Sequence, residues 1–240
     1  MPEPVQAGLW GALAGSALVL GALIALLRPL SRRFVALVMA FGAGALLSAL
    51  AFDLAEEAFR VGGTLVFALG LAAGSLVFYA GARLINTRKR ARPMDTPPAG
   101  GPAIIFGALL DGVPESLVLG ASLVGGAGVS PSFLGAVVIS NVPEGIAGTR
   151  DLADAGISRR RILALWVGVA AVSGLAAGLG NAVSSGMNTV VLAAAQSFAA
   201  GAILTMLADT MFPEAFEAGG DRVGLATALG FATAFLLARA

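Results

Sequence analysis

Three carboxylates lie inside long apolar stretches of this chain, where an ionised side chain is costly. Asp111 and Glu115 are four residues apart near the middle of one stretch, so they share a helix face. Glu144 lies in the next stretch, at a spacing that gives it a face in common with Ser140 and Asn141. A charged group at the bilayer centre costs about 2.5–3.5 kcal/mol on insertion scales. Neither stretch contains Lys or Arg in its interior, so a bound cation or a proton must neutralise these groups.

A proline directly precedes the glutamate in both stretches, because Val-Pro-Glu at residues 113–115 recurs at 142–144. Pro114 and Pro143 lack a backbone N–H and disturb the preceding turn, which frees carbonyl oxygens as hard ligands. Broken helices whose carbonyls line a polar path are a recurring construction for ion sites in transporters. The alternative is a pair of ordinary proline kinks, with protonated carboxyls in packed helices.

The elements that carry these residues are predicted to be membrane-spanning helices. Of the 240 residues, 58% are hydrophobic and 12% are charged, whereas globular chains carry roughly 25% charged residues. The chain has no Cys and no His, which removes disulfides and imidazole ligands, and its net charge of +1 gives no reason to expect nucleic acid. Apolar runs of about 20 residues predict an all-α membrane protein with eight spans, at residues 7–27, 34–58, 62–84, 102–125, 131–150, 160–183, 188–211 and 222–239.

Basic residues are concentrated in alternate links between the predicted spans. Of the 15 Lys and Arg residues, all except Arg60 and Arg239 lie in or beside these links. The bias places these links in the cytoplasm and both termini outside, in an integral protein of the cell membrane. The segment 86–101 is rich in Arg and Pro, and we expect it to be a flexible cytoplasmic loop within a single transporter domain, residues 1–240.

A longer repeat relates the second predicted span to the seventh. Phe41–Ala51 recurs without a gap as Phe198–Ala208, and Glu57-Ala-Phe59 recurs at the same offset as Glu214-Ala-Phe216. The two spans are five apart and cross the bilayer in opposite directions, as in the inverted repeats of transporters. Chance similarity among helices rich in Ala, Gly and Leu is the alternative.

Acidic residues cluster at one end of each of these two related spans. On the predicted orientation they form mouths on opposite faces of the membrane, which attract cations. We expect the pathway mouths at Asp53, Glu57, Asp209 and Glu214, with Glu56 and Glu217 beside them. The alternative is that these residues are solvated helix ends.

With these motifs the chain resembles the ZIP (Zrt-, Irt-like protein) family of divalent metal transporters over essentially its whole length. Asp111-Gly-Val-Pro-Glu-Ser116 stands where that family has His-Asn-x-Pro-Glu-Gly in span four. Ser140-Asn-Val-Pro-Glu-Gly145 matches the span-five pattern, and Asp209–Ala215 is similar to the acidic span-seven signature. The resemblance implies a 3+2+3 inverted-repeat arrangement and a binuclear metal site between spans four and five. Its candidate ligands here are Asp111, Glu115, Ser140, Asn141 and Glu144.

The chain departs from the family pattern in ways that bear on the choice of metal. Asp111 stands where the family has a histidine in span four, and Gly112 stands where it has the adjacent asparagine. Residues 174–178 in span six lack the glutamate that often serves the second metal in the family. A site built from oxygen ligands suits manganese, magnesium or ferrous iron better than zinc or cadmium. We therefore expect a shift in preference away from zinc and cadmium.

The predicted function is secondary transport of divalent metal cations through a site at the middle of the bilayer. The divalent metal ion is then the transported substrate, and no cofactor is expected. The surrounding partner is the lipid bilayer, and the sequence leaves undecided whether the protein forms a homodimer. One alternative is a divergent family member that moves another solute or protons. The other is an intramembrane enzyme, for which Ser116 beside Glu115 is the one candidate nucleophile, with neither His nor Cys in the chain.

Overall fold

The computed structural model describes residues 1–28, 30–90, 101–124 and 130–239, and within these ranges the fold is all-helical, with no strand. The predicted all-α class is therefore confirmed for this part of the chain. Two π-helical segments, Leu50–Ala55 and Leu207–Met211, and a 3-10 turn, Gly220–Arg222, connect consecutive helices. The α-helices are α1 (Glu3–Leu27), α2 (Arg32–Ala49), α3 (Glu56–Arg90), α4 (Gly101–Ala121), α5 (Pro131–Asp154), α6 (Arg159–Ser184), α7 (Thr189–Met206), α8 (Phe212–Gly219) and α9 (Val223–Leu237).

Five helical stretches of the described chain are long and apolar enough to cross a membrane. They are Glu3–Leu27, Arg32–Leu84, Ile104–Ala121, Arg159–Ser184 and Thr189–Leu237. About 20 helical residues cross a bilayer, so the stretches of 53 and 49 residues exceed one crossing. Each is interrupted by a glycine with positive φ, at Gly63 (+71°) and Gly220 (+61°), a conformation that glycine adopts without steric cost.

Helix pairs approach closely where glycine replaces a side chain. A Cβ added to Gly201 would lie 2.0 Å from the Leu71 carbonyl oxygen, where α7 packs on α3. A Cβ on Gly145 would lie 2.3 Å from the Leu18 carbonyl oxygen, where α5 packs on α1. The glycine content therefore serves backbone-to-backbone packing, as is usual for helices in lipid.

The end of α3 differs from the prediction. The helix continues through Arg90, so residues 86–90 are helical and do not begin the expected loop. Neither Gly nor Pro occurs in these five residues, and the first helix-disfavouring proline is Pro93. The clustered bases suggested a loop, but charge alone does not stop a helix. The rest of the predicted loop, 91–100, lies outside the described residues.

The antiparallel pair α2 and α5 defines the two ends of the bundle. Gly42 packs against the backbone of Ser140 near the middle of both helices, and Asp53 contacts the start of α5. At the opposite end, Arg32 and Arg150 line one cleft. We call the end that holds these two arginines the arginine end, and the other the Asp53 end.

The glycine contacts predict a graded effect of added methyl groups on stability. Gly201→Ala forces a Cβ against a rigid backbone oxygen, so the free energy of unfolding should fall by about 1–3 kcal/mol. The apparent melting temperature of the detergent-purified protein should fall by at least about 3 °C.

Gly168→Ala on α6 is the matched control, since no described atom lies within 4 Å of its Cβ position. It should melt at or above the wild-type temperature. Equal melting temperatures for the two variants would contradict the close α3–α7 approach.

Candidate functional site

A cavity of about 200 Å³ lies between α4, α5 and the segment that joins α7 to α8. Because α4 and α5 run antiparallel here, the cavity extends from the middle of both helices toward the arginine end. Its walls include the apolar side chains of Ile104, Ala108 and Trp166. Its polar lining consists of Asp111, Glu115, Ser140, Glu144, Asp151, Thr210 and Glu214.

Four of the five predicted ligands line this cavity, and Asn141 does not. The Asn141 side chain is 5% exposed, and its Nδ2 donates a hydrogen bond of 3.1 Å to the Ala14 carbonyl oxygen. This bond ties α5 to α1 on the side of α5 that packs against α1. The structure thus brings Asp111 and Glu115 of α4 together with Ser140 and Glu144 of α5.

Helical periodicity and one aromatic side chain fix the face that α5 presents. Ser140, Glu144 and Asp151 recur at intervals of four and seven residues, so they form one stripe. Behind this stripe, the Trp166 Nε1 donates a 2.8 Å hydrogen bond to Thr149 Oγ1. A Cβ on Gly148 would lie 2.8 Å from Trp166 Cζ2, so the glycine lets the ring pack directly against α5.

Both helices pass through their prolines without interruption. Pro114 lies inside α4 and Pro143 lies inside α5, so the predicted site does not depend on a broken helix. The Ser116 hydroxyl donates a 2.7 Å hydrogen bond to the Gly112 carbonyl oxygen of its own helix. This serine is therefore engaged in a local backbone contact.

The carboxylates of Asp111, Glu115 and Glu144 have no protein partner in the described ranges. Glu115 is 3% exposed, while Asp111 and Glu144 are partly exposed to the cavity. Within the residues that the structure describes, none of the three side chains forms a hydrogen bond or a salt bridge. Ionised carboxylates in such surroundings repel one another and lose hydration. Their charge must be balanced by a cation or a proton.

The carboxylates are spread around the cavity wall rather than gathered at one point. In the described part of the chain, no group of three or more Asp, Glu, His or Cys side chains is arranged to hold a metal ion. The cavity volume of about 200 Å³ equals roughly six to seven water molecules at about 30 Å³ each. It therefore has room for a divalent cation that keeps much of its inner water shell, as hard cations tend to do.

A second cavity of about 370 Å³ continues the polar route to the arginine end. The two cavities share Met39, Ala147, Asp151 and Glu214 in their linings. Charged residues that line the second cavity alone are Arg32, Arg150 and Asp154. The two cavities thus adjoin one another, with Asp151 and Glu214 in the lining of both and two arginines in the lining of the second.

Sequence reasoning missed several residues of this route. Asp151 could have been found, because two helical turns separate it from Glu144 on the same face. Thr210 carries no comparable signal. Met39 and Met206 also border the first cavity, but both are buried within hydrophobic clusters. We therefore interpret these two thioethers as part of the apolar cavity wall rather than as metal ligands.

The four predicted mouth residues have different surroundings. Glu214 lines both cavities, and Asp53 lies at the opposite end, where it accepts hydrogen bonds from two serines. Glu57 is paired with Arg60 at the surface, with 2.6 Å between Oε2 and Nη2. Asp209 is exposed on the second π-helical segment. Neither Glu57 nor Asp209 lines the two polar cavities.

The chain matches no protein-family model, and it matches no curated protein. The functional interpretation therefore depends on the geometry of the cavity and on the motifs within it.

The direction of the cavity predicts which positions water-borne reagents reach. Ala147 lines both cavities, whereas Val137, ten residues earlier on α5, is 3% exposed in the half toward the Asp53 end. The chain has no Cys, so single cysteines can be placed without background. Ala147→Cys should react with a charged methanethiosulfonate at least about tenfold faster than Val137→Cys, measured by mass shift. Faster labelling at position 137 would contradict the assigned opening.

Proposed function

We propose that this protein is an eight-span transporter of divalent metal cations, of the ZIP type that its motifs resemble. One observation carries the proposal: Asp111, Glu115 and Glu144 surround a cavity inside an apolar helix bundle and have no basic partner in the described chain. Such groups inside a membrane are expensive and mark ion pathways. A cation that enters the cavity supplies the missing positive charge.

Eight crossings follow if the two longest apolar stretches each cross twice. Gly63 and Gly220 turn the chain within those stretches, which gives four crossings from the two. The helices α1, α4 and α6 supply three more. The eighth is α5, whose 24 residues are long enough although its polar site residues lower its hydropathy.

Contacts at matching positions support an inverted repeat of three, two and three spans. Gly44 and Gly201 hold the same place in the two sequence echoes. A Cβ on either would lie 2.0 Å from a carbonyl oxygen, that of Thr227 or of Leu71 respectively. The π-helical segments also begin at matching positions, Leu50 and Leu207. Such agreement in backbone detail goes beyond similar composition.

In the proposed mechanism the arginine end faces the cytoplasm, both termini lie outside, and one group of helices rocks against another around the cavity. Positive charge on cytoplasmic links favours this orientation. The cation binds among Asp111, Glu115 and Glu144, with Ser140 as a neutral oxygen ligand, and exchanges part of its water shell for these oxygens. Glu214 and Asp151 lower the barrier between the cavity and the cytoplasmic face, because negative side chains attract the ion along the route.

Removal of either buried glutamate charge should abolish metal transport without unfolding the protein. Glu115→Gln or Glu144→Gln keeps the side-chain volume and removes an ionic contact, for which a loss of at least about tenfold in uptake is expected. The measurement is uptake of radioactive Mn²⁺ into proteoliposomes, with the melting temperature as a check on folding.

Glu3→Gln is the matched control, since Glu3 lies at the exposed start of α1. Its uptake should equal that of the wild type. Normal transport by both buried-site variants would overturn the proposal, and proton flux that needs no metal would favour the proton-transporting alternative.

The ion preference should follow the oxygen ligands. We expect excess Cd²⁺ to compete with Mn²⁺ uptake no better than unlabelled Mn²⁺ does, because carboxylate and hydroxyl oxygens suit hard ions. Met206→Leu removes a sulfur beside the cavity at nearly constant volume and should leave the order of competition unchanged. If Cd²⁺ inhibits Mn²⁺ uptake by the wild type orders of magnitude more strongly than unlabelled Mn²⁺ does, and Met206→Leu removes this difference, then the thioether is a ligand.

A further inference from the structure

At the Asp53 end of the bundle, three side chains form a hydrogen-bonded group. Asp53 Oδ2 accepts a 2.7 Å hydrogen bond from Ser130 Oγ and a 2.5 Å hydrogen bond from Ser132 Oγ. The two hydroxyl oxygens are 2.8 Å apart. Asp53 belongs to the π-helical segment after α2, and the serines begin α5, so the group joins two helices across 77 and 79 residues of sequence.

The group is built onto the first turn of α5. The Ser130 hydroxyl caps α5 by accepting a 3.2 Å hydrogen bond from the Phe133 backbone N–H. The Asp53 carboxyl group therefore lies at the amino-terminal end of a helix. Ser132 is 2% exposed, so its hydroxyl depends on Asp53 for a strong acceptor.

The two ends of the bundle are held differently. In the ungapped repeat, the position that matches Asp53 is Thr210, which lines the open cavity. The seam between α2 and α5 is closed by Gly42 against Ser140 and, at the Asp53 end, by the Asp53 group. At the arginine end, the Arg150 side chain donates a hydrogen bond to the Leu30 carbonyl oxygen, and two polar cavities lie beside it. The polar cavities of the site thus adjoin the arginine end, whereas the Asp53 group closes the seam at the opposite end.

We propose that Asp53, Ser130 and Ser132 form a latch that closes the α2–α5 seam at the Asp53 end and so biases the protein toward the conformation open at the arginine end. The latch rests on the proposed function in that a transporter must open each end in turn. A hydrogen-bonded latch is suited to this task, because it can break and reform without repacking a hydrophobic core. Opening of the Asp53 end requires both serine hydroxyls to leave the carboxylate.

Single cysteines report the bias directly. In a Val137→Cys background, Ser132→Ala should raise labelling by a charged methanethiosulfonate by about tenfold, as expected for a lost hydrogen bond to a charged group. In an Ala147→Cys background, the same substitution should lower labelling. Ser132→Thr keeps the hydroxyl and should restore both rates. Ser122→Ala is the control, because within the described residues the Ser122 hydroxyl, just after α4, donates only to the Leu119 carbonyl oxygen, 2.8 Å away.

Asp53→Asn is the second variant of the latch. If either Ser132→Ala or Asp53→Asn misfolds, the test rests on the variant that keeps the wild-type elution profile and melting temperature. Unchanged labelling at both reporters in a folded variant would overturn the latch, even where metal uptake is normal. A reciprocal shift in labelling in a protein that transports no metal would uphold the latch and reject the proposed function.

Discussion

Charge balance inside an apolar bundle governs this molecule. Ionised oxygens in surroundings of low dielectric lose far more hydration energy than surface carboxylates do, and removing a paired charge in such places typically costs several kcal/mol. Most proteins meet this cost with an arginine or a lysine. Around Glu115 and Glu144 the described chain offers none. A cation that binds in the cavity, as proposed, would stabilise the bundle, since a ligand that binds the folded state stabilises it.

The helix interfaces differ in how they are held, and this difference indicates which of them can move. Glycine contacts at Gly145 and Gly201 bring backbones together with almost no space for adjustment, so these pairs behave as rigid units. The α2–α5 seam combines a glycine contact, Gly42 against the Ser140 backbone, with hydroxyl-to-carboxylate hydrogen bonds at one end. Polar contacts of this kind exchange readily with water or an ion. Movement is thus expected at the Asp53 end of the seam rather than at its glycine contact.

Much of the fold and part of the site could be predicted from local sequence. Apolar runs predicted the start of α5 at residue 131, and periodicity of four placed Ser140 beside Glu144. The orientation of Asn141 could not be predicted this way, because its spacing to Glu144 allows either face and the choice depends on where α1 packs. The pairing of Glu57 with Arg60, three residues later, is a local signal that indicates a surface position.

Other features are tertiary and lie beyond any local pattern. The contact of Asp53 with Ser132 joins residues 79 positions apart, and no periodicity links a π-helical segment to a distant helix start. The cavity-lining role of Thr210 likewise depends on how the segment after α7 approaches α4. These contacts come from packing geometry, which an isolated sequence leaves undetermined even when each helix is correctly placed.

The π-helical segment Leu50–Ala55 is a place where the direction of side chains along one helix can change. A π-turn holds one residue more than an α-turn, so the side chains beyond it are rotated by roughly 100° about the helix axis. The side chains of α2 that face the cavity and the Asp53 side chain that contacts α5 can therefore point in different directions, although they belong to one continuous helical stretch. If the extra residue migrates along the helix, Asp53 swings away from α5 while the backbone hydrogen bonds are exchanged one at a time. The contact between this helical stretch and α5 can then change without unfolding of the helix.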